Sequence, residues 1–306
     1  MKKAIIIGEG IQGKKRLLSL KKYFKFVGYI DPVSKKTKYK KISDIPTKLY
    51  DVAFVCVPDK NKKKIIEYLI NNKKHTLVEK PLNLKINEYR TFQKVANKNK
   101  VILYTAYNHR FEQNIIAVKK ILKKNILGKV YSMKLFYGNG TSKLVKMSNW
   151  KDSGDGVISD LGSHLFDMIF FLLGEKKRDV QIIDKSKHEN KSYDHVAAKL
   201  SSKNDNLKIF IEMTYLSWKN TFKLDCICHK GSVHIDGLCK WGPSVLSIKK
   251  RIFPSGYPKE KIKKIQSRDI TWDQEAKFFR NLINNKNKTS LKKDELIFYN
   301  INKLIR

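Results

Sequence analysis

Residues 3–13, KAIIIGEGIQG, constrain the fold more than any other stretch of the chain. Ala4-Ile5-Ile6-Ile7 is apolar at every position, the composition of a parallel strand buried on both faces. It breaks into Gly8-Glu9-Gly10-Ile11-Gln12-Gly13, a G-x-G-x-x-G spacing, and residues 14–22 then read as an amphipathic helix with Leu17, Leu18 and the stem of Lys21 inward. Each glycine has a task in such a turn. Gly8 permits the tight reversal, Gly10 lets a pyrophosphate approach the backbone, and Gly13 lets the helix pack close to its strand. The first-turn N–H groups, those of Ile11 and Gln12 included, and the positive helix end would face the phosphates. A second apolar run, residues 26–30, ends in Asp31, 18 residues beyond Gly13, where a carboxylate is expected to bind a ribose. A strand–turn–helix without a ligand would explain the glycines, but not the coincidence of strand, helix and acid.

The alternation continues. Residues 51–58 form an apolar strand ending in Cys56-Val57-Pro58, and residues 61–72 show helical spacing. Residues 75–78 form a strand ending in Glu79-Lys80-Pro81, residues 87–97 a helix and residues 101–107 a strand. This predicts an α/β fold whose N-terminal Rossmann domain is a doubly wound parallel sheet, with ligands beyond the carboxyl ends of its strands. Gly8, Asp31, Pro58, Lys80 and Asn108 fall at those ends, with Val57 and Glu79 beside them. After Gly128 the pattern changes to successive strands near 129–137, 180–184, 193–201, 207–216, 221–229, 232–235 and 245–251. One helix, 156–173, interrupts them, and two more close the chain near 273–283 and 293–304. A C-terminal α+β domain with a large open, mostly antiparallel sheet is expected, with the domains spanning 1–122 and 123–306.

Within residues 154–167, GDGVISDLGSHLFD, helical spacing puts Asp160, His164 and Asp167 on one face. A carboxylate can orient an imidazole, and His titrates near neutrality, so the pair suits acid–base chemistry. The plainer reading is a polar helix face with one satisfied histidine. Composition limits the remaining classes. The longest apolar run, residues 168–173, is too short to span a bilayer, and Lys2-Lys3 precedes only four apolar residues, so neither a membrane span nor a leader is expected. The formal net charge of +37 is spread along the chain as lysine. It reads as a solvated surface with nonspecific attraction to anions rather than a specific nucleic-acid site. Cys56, Cys226, Cys228 and Cys239 are scattered, as in a reduced cytoplasmic protein. Cys226, Cys228, His229, His234 and Cys239 lack the spacing of a zinc site, so no metal is expected.

In order, Gly8-x-Gly10-x-x-Gly13, Cys56-Val57-Pro58, Glu79-Lys80-Pro81, Asn108-His109-Arg110-Phe111 and the run from Gly154 to His164 resemble the glucose–fructose oxidoreductase/inositol dehydrogenase (Gfo/Idh/MocA) family. The resemblance implies an NAD(P)-dependent oxidoreductase that moves a hydride between nicotinamide and a carbon of a sugar, cyclitol or nucleotide sugar. It implies that Lys80 is the active-site lysine and that Asp160 and His164 are the substrate-binding and acid–base pair. Asn108, Arg110 and Trp150 join them as implied substrate contacts. A homodimer or homotetramer formed through the C-terminal sheet is implied as well. An NAD-retaining glycosidase and a nonenzymatic NAD(P)-sensing regulator share the fold and stand as alternatives. The chain departs from the family pattern in three places. Asp59-Lys60-Asn61-Lys62 replaces the usual His after the Pro58 turn, Gly154-Asp155-Gly156 replaces three glycines, and Glu112-Gln113 replaces a proline. Asp31 favours NAD, while Ser34, Lys35 and Lys36 nearby keep NADP open.

Overall fold

In the computed structural model the described residues are 1–202 and 205–306, the side chains of Trp150 and Asp205 excepted. They divide into two compact units, Met1–Asn108 with Thr271–Phe298, and His109–Ile270 with Tyr299–Arg306. Residues 109–122, expected with the first domain, cluster with the second unit; 271–298, expected with the second, cluster with the first.

The chain begins β1 (Lys3–Ile7), α1 (Ile11–Leu20), β2 (Lys25–Ile30), β3 (Val52–Val55), α2 (Asp59–Asn71), β4 (His75–Glu79), α3 (Ile86–Lys98) and β5 (Leu103–Ala106). There follow α4 (Gln113–Lys123), β6 (Val130–Gly138), α5 (Ser142–Lys146), α6 (Asn149–Asp152), α7 (Ser163–Leu173), β7 (Asp179–Ser186), β8 (His195–Ser202) and β9 (Asp205–Thr214). The chain then runs through β10 (Thr221–Cys228), β11 (Gly231–Asp236), β12 (Ser244–Ile252), β13 (Gly256–Ile265), α8 (Thr271–Asn284) and α9 (Lys292–Ile305).

The first sheet has the order β2-β1-β3-β4-β5 and is parallel throughout. Its apolar strands are buried on both faces because side chains alternate between two cores. Ile5, Ile7, Ala53, Val55 and Val78 meet Ile66, Leu69 and Phe92 on one side. Ala4, Ile6, Phe54 and Leu77 meet Leu20, Phe24 and Phe279 on the other. Phe279 comes from α8 and stands edge-on to Phe54, with ring centroids 5.9 Å apart, which explains why this C-terminal helix belongs to the first unit. Helix α1 buries Gly13, Arg16, Ser19 and Leu20, whereas Leu18 is 72% exposed and Lys21 is exposed, correcting the expected inward face. Gly13 sets the phase: once it faces β1, a 100° turn per residue brings 16, 17 and 20 to the sheet and carries 18 away.

His75 opens β4 and accepts a hydrogen bond at Nδ1 from the Ile102 backbone N–H (3.1 Å), which requires that nitrogen to be unprotonated. Burial, and then Lys2, push this imidazole from an ordinary 6.5 down to about 4. Between those pH values the unfolded chain binds a proton that the folded chain refuses, so stability falls as pH drops through this window. The expected loss is roughly 2 kcal/mol after allowance for partial exposure. Urea midpoints at pH 7 and pH 4 check it: His75→Asn, which keeps an acceptor but cannot titrate, should lose that much less stability over the interval.

The second sheet has the order β13-β12-β11-β10-β6-β9-β8-β7 and is antiparallel except for β6 with β9. One face carries Met133, Leu135, Ile209, Ile211, Leu224 and Val233, all buried. Helix α7 packs on α4, and a π-helical turn, Ile158–Gly162, leads into α7 and packs on β9. The opposite face carries Lys134, Lys199, Phe210, Asp225 and His234 in cross-strand register. Strand β13 and the short helices α5 and α6 lie outside the elements expected from sequence. No helix among the described residues is long and apolar enough to cross a membrane.

Candidate functional site

The first constellation lies at the carboxyl ends of β1, β2 and β4, where the strand order reverses at β1. Gly8 has φ +99°, and a Cβ there would lie 2.5 Å from the Cys56 carbonyl oxygen. A Cβ on Gly13 would lie 2.0 Å from the Gly8 carbonyl oxygen, so the turn closes only with glycine at both places. Gly10 differs: a Cβ there meets nothing within 4 Å. Gly10 caps α1 without a side-chain hydrogen bond, and the first helical turn, which begins with the exposed Ile11 and Gln12, contains no acid. The helix N-terminus therefore presents N–H groups and positive potential to open space.

Asp31 organises the neighbouring loop. Its Oδ2 accepts from the Glu9 N–H (2.7 Å), and Oδ1 accepts from the N–H groups of Val33 (2.9 Å) and Ser34 (3.0 Å). Burial alone would raise this carboxyl, but the three N–H groups, with Lys40, outweigh it and hold it below its ordinary range. Glu9 accepts a hydrogen bond from the Ser34 hydroxyl. A cleft of about 400 Å³ is lined by Glu9, Gly10, Lys14, Asp31, Ser34, Lys35 and Lys36. An uncapped helix N-terminus, open space at Gly10 and a carboxylate beside a lysine-rimmed cleft fit a dinucleotide, with the diphosphate at Gly10–Gly13 and the ribose near Asp31.

At the end of β4, Glu79 is drawn into the protein. Arg16 Nε donates to Glu79 Oε1 (2.6 Å) and Arg16 Nη1 to Glu275 Oε2 (2.6 Å), while the guanidinium stacks over Trp272 at 4.2 Å. Lys80 follows, half-buried, and its Pro81 peptide bond is cis. Val57 is half-buried, and the exposed Pro58 sits immediately before α2. Asn108 Nδ2 donates to Thr271 Oγ1 at 2.8 Å.

The second constellation surrounds the start of α7. Gly156 has φ +58°, and a Cβ there would lie 2.1 Å from the Tyr193 carbonyl oxygen. Its neighbour Asp155, which departs from a glycine pattern, accepts from the Ser159 hydroxyl at 2.7 Å. Asp160 Oδ2 accepts from the Tyr215 hydroxyl at 3.3 Å. Burial and then the Asp160 charge push the Tyr215 and Tyr137 phenols up, so both keep their protons at neutral pH. The His164 ring stacks on His109 with centroids 3.9 Å apart and 21° between planes. Tyr137 lies 6.1 Å from His164, and Trp241 lies 5.5 Å from Tyr137. Asp167 is buried and forms an ion pair with Arg110, whose Nε donates to Asp167 Oδ2 at 3.1 Å. Trp150 has its side chain outside the described residues. Cys226 and Cys228 are both buried on one face of β10, with sulfurs 3.8 Å apart.

Sequence reasoning missed Arg16, His109, Tyr137, Tyr215 and Trp241. Of these, only His109 falls within a motif read from the sequence, Asn108-His109-Arg110-Phe111.

A family model described as an oxidoreductase family with an NAD-binding Rossmann fold matches residues 2–107, and one for the GFO/IDH/MocA C-terminal domain matches residues 115–234. An inositol 2-dehydrogenase of Rhizobium meliloti is 29% identical over 157 residues, covering 50% of this chain and 47% of that protein. The chain thus spans about half the length of that curated relative. Among solved structures, levoglucosan dehydrogenase in complex with NADH superposes with a TM-score of 0.84 at 15% identity, covering 99% of this chain and 96% of that one. UDP-N-acetylglucosamine 3-dehydrogenase of Acidithiobacillus ferrooxidans gives 0.82 at 14% identity, with the same coverage of 99% and 96%.

Proposed function

We propose, because the chain belongs to the Gfo/Idh/MocA oxidoreductase family, that it is an NAD(P)-dependent dehydrogenase or reductase acting on a hydroxyl or carbonyl carbon of a sugar, cyclitol or nucleotide sugar. The observation that carries this reading is the turn at Gly8–Gly13, which leaves open space at Gly10 in front of an uncapped helix end. When bound, the nicotinamide supplies or accepts the hydride. The chain's own residues then bind, orient and manage a proton. Lys80 takes or returns the proton of the substrate hydroxyl, and His164, supported by Asp160, serves the same transfer. Asn108 and Arg110 contact the substrate. Assembly as a homodimer or homotetramer would cover the polar face of the second sheet.

The test is a thermal-shift screen with NAD or NADP against a panel of sugars, cyclitols and nucleotide sugars. A rise in Tm with the cofactor, and a further rise with one substrate class together with NADH formation, is the expected result. No rise with either cofactor would overturn the reading. Gly10→Val is expected to abolish cofactor binding while circular dichroism stays that of the wild type, because the new side chain meets only the space assigned to the diphosphate.

Asp31→Ala is expected to weaken NAD more than NADP, since it removes an acceptor for the ribose hydroxyls and a repulsion toward a 2′-phosphate while leaving Lys35 and Lys36 at the cleft. Dissociation constants that rise equally for the two cofactors would refute the ribose assignment.

A further inference from the structure

Lys62 is 3% exposed, although it belongs to a helix segment, Asp59-Lys60-Asn61-Lys62-Lys63-Lys64, that reads as lysine-rich surface. Its ammonium donates to the carbonyl oxygens of three consecutive residues, Glu79 (2.6 Å), Lys80 (3.3 Å) and Pro81 (2.8 Å). It also pairs with Asp59 Oδ1 at 2.6 Å, and the other oxygen of that carboxylate accepts from Asn83 Nδ2 at 2.9 Å. Two side chains from the first turn of α2 therefore hold residues 79–83 by four contacts to carbonyl or amide groups.

Burying an ammonium is costly, and a methionine of similar length would fill the same space without that cost. Burial, followed by the opposing influence of Asp59 and Glu79 and the repulsion of Lys80, leaves the Lys62 amine below its ordinary range. The compensation is directional. Three converging carbonyls turn the backbone of the segment after β4 toward one point, and the residue at the centre of that segment is Lys80. Arg16 fixes the same strand end from the other side through the Glu79 carboxylate (2.6 Å).

We propose that Lys62 is a positioning residue: with Asp59 it clasps residues 79–83 and so fixes the direction in which Lys80 is presented to substrate. The inference rests on the reading of Lys80 given above. Its first test is amide hydrogen exchange in Lys62→Met. Exchange of the peptide spanning residues 79–85 should accelerate about tenfold or more, while peptides of β1 and β3 keep wild-type rates. An unchanged rate in residues 79–85 overturns the clasp. Where Lys62→Met fails to fold, Lys62→Gln keeps an amide donor and should give a smaller acceleration; a wild-type rate there overturns the clasp equally.

The second test is kinetic. Lys62→Met should lower kcat about 10- to 100-fold with little change in KM for the cofactor, because orientation and not cofactor binding is lost. The double variant Lys62→Met/Lys80→Met should be no slower than Lys80→Met alone, since Lys62 acts only through Lys80. Multiplicative losses in the double variant would overturn that route. If Lys80→Met keeps the wild-type kcat, the reading of Lys80 falls and takes the kinetic half of this proposal with it, while the exchange rates still decide the clasp.

Discussion

His164→Ala and Lys80→Met are each expected to lower kcat by roughly 10²- to 10⁴-fold, the usual range for losing a general acid–base group. Cofactor affinity should change little, because the diphosphate and ribose sites proposed at Gly8–Gly13 and Asp31 include neither residue. A purely structural His164 would behave differently. It is 7% exposed and stacked on His109 at 3.9 Å, so a packing role predicts a lowered Tm with kcat of the folded fraction near wild type. Measuring Tm and kcat on the same preparation separates the two, and the pH profile adds a third readout. If His164 titrates in the reaction, the limb of kcat/KM near neutrality flattens in His164→Ala. A normal kcat with a lowered Tm would end its catalytic assignment.

Arg16→Met is expected to have the largest effect on stability, about 3–5 kcal/mol, the range for breaking a buried ion pair by removing one partner. The guanidinium is 1% exposed and holds Glu79 and Glu275, the latter fully buried and also receiving the Tyr104 hydroxyl at 3.3 Å. Methionine would leave two carboxylates in apolar surroundings with one cation gone. Arg16→Lys should recover only part of the loss, because a single ammonium cannot reproduce the fork that reaches two acids at 2.6 Å each. Urea unfolding of the three proteins, and of Arg16→Met/Glu275→Gln, tests the account. The double variant should be more stable than Arg16→Met alone. A loss below about 1 kcal/mol for Arg16→Met would show that the network does not hold the helices to the sheet.

These residues also mark where sequence reasoning stopped. The turn from β1 to α1 was legible because its constraints are local: a Cβ at Gly8 or Gly13 collides with backbone a few residues away or on the adjacent strand. The strands of the second sheet from β6 to β12 were legible through alternation, as in Met133-Lys134-Leu135. Strand β13 was not, because all but one of its residues outside Pro258 are exposed and no apolar period exists to be read. Arg16 and Lys62 were hidden by composition. In a chain with 65 lysines and arginines, a buried cation looks like every other cation. Of the two partners of Arg16, Glu275 stands 259 residues away, beyond any local signal, and so does the reason that α8 joins the first sheet. Near His164 the helix was legible from its apolar spacing, but the π-helical turn changes the angular spacing between Asp160 and the residues of α7, and His109 entered from another part of the chain.

Strand β13 has a consequence for how copies of the protein meet. It ends the second sheet and, among the described residues, pairs with β12 alone, so one row of its backbone N–H and C=O groups faces away from the sheet. The same strand carries Lys259, Lys261, Lys263 and Lys264 against a single acid, Glu260. A second copy adding its own β13 in antiparallel fashion would bring like charges close together along the new pairing, and that repulsion disfavours edge-to-edge association. The effect is electrostatic and therefore conditional. At about 1 M salt the screening length shrinks to roughly 3 Å, and the repulsion along the rim weakens with it.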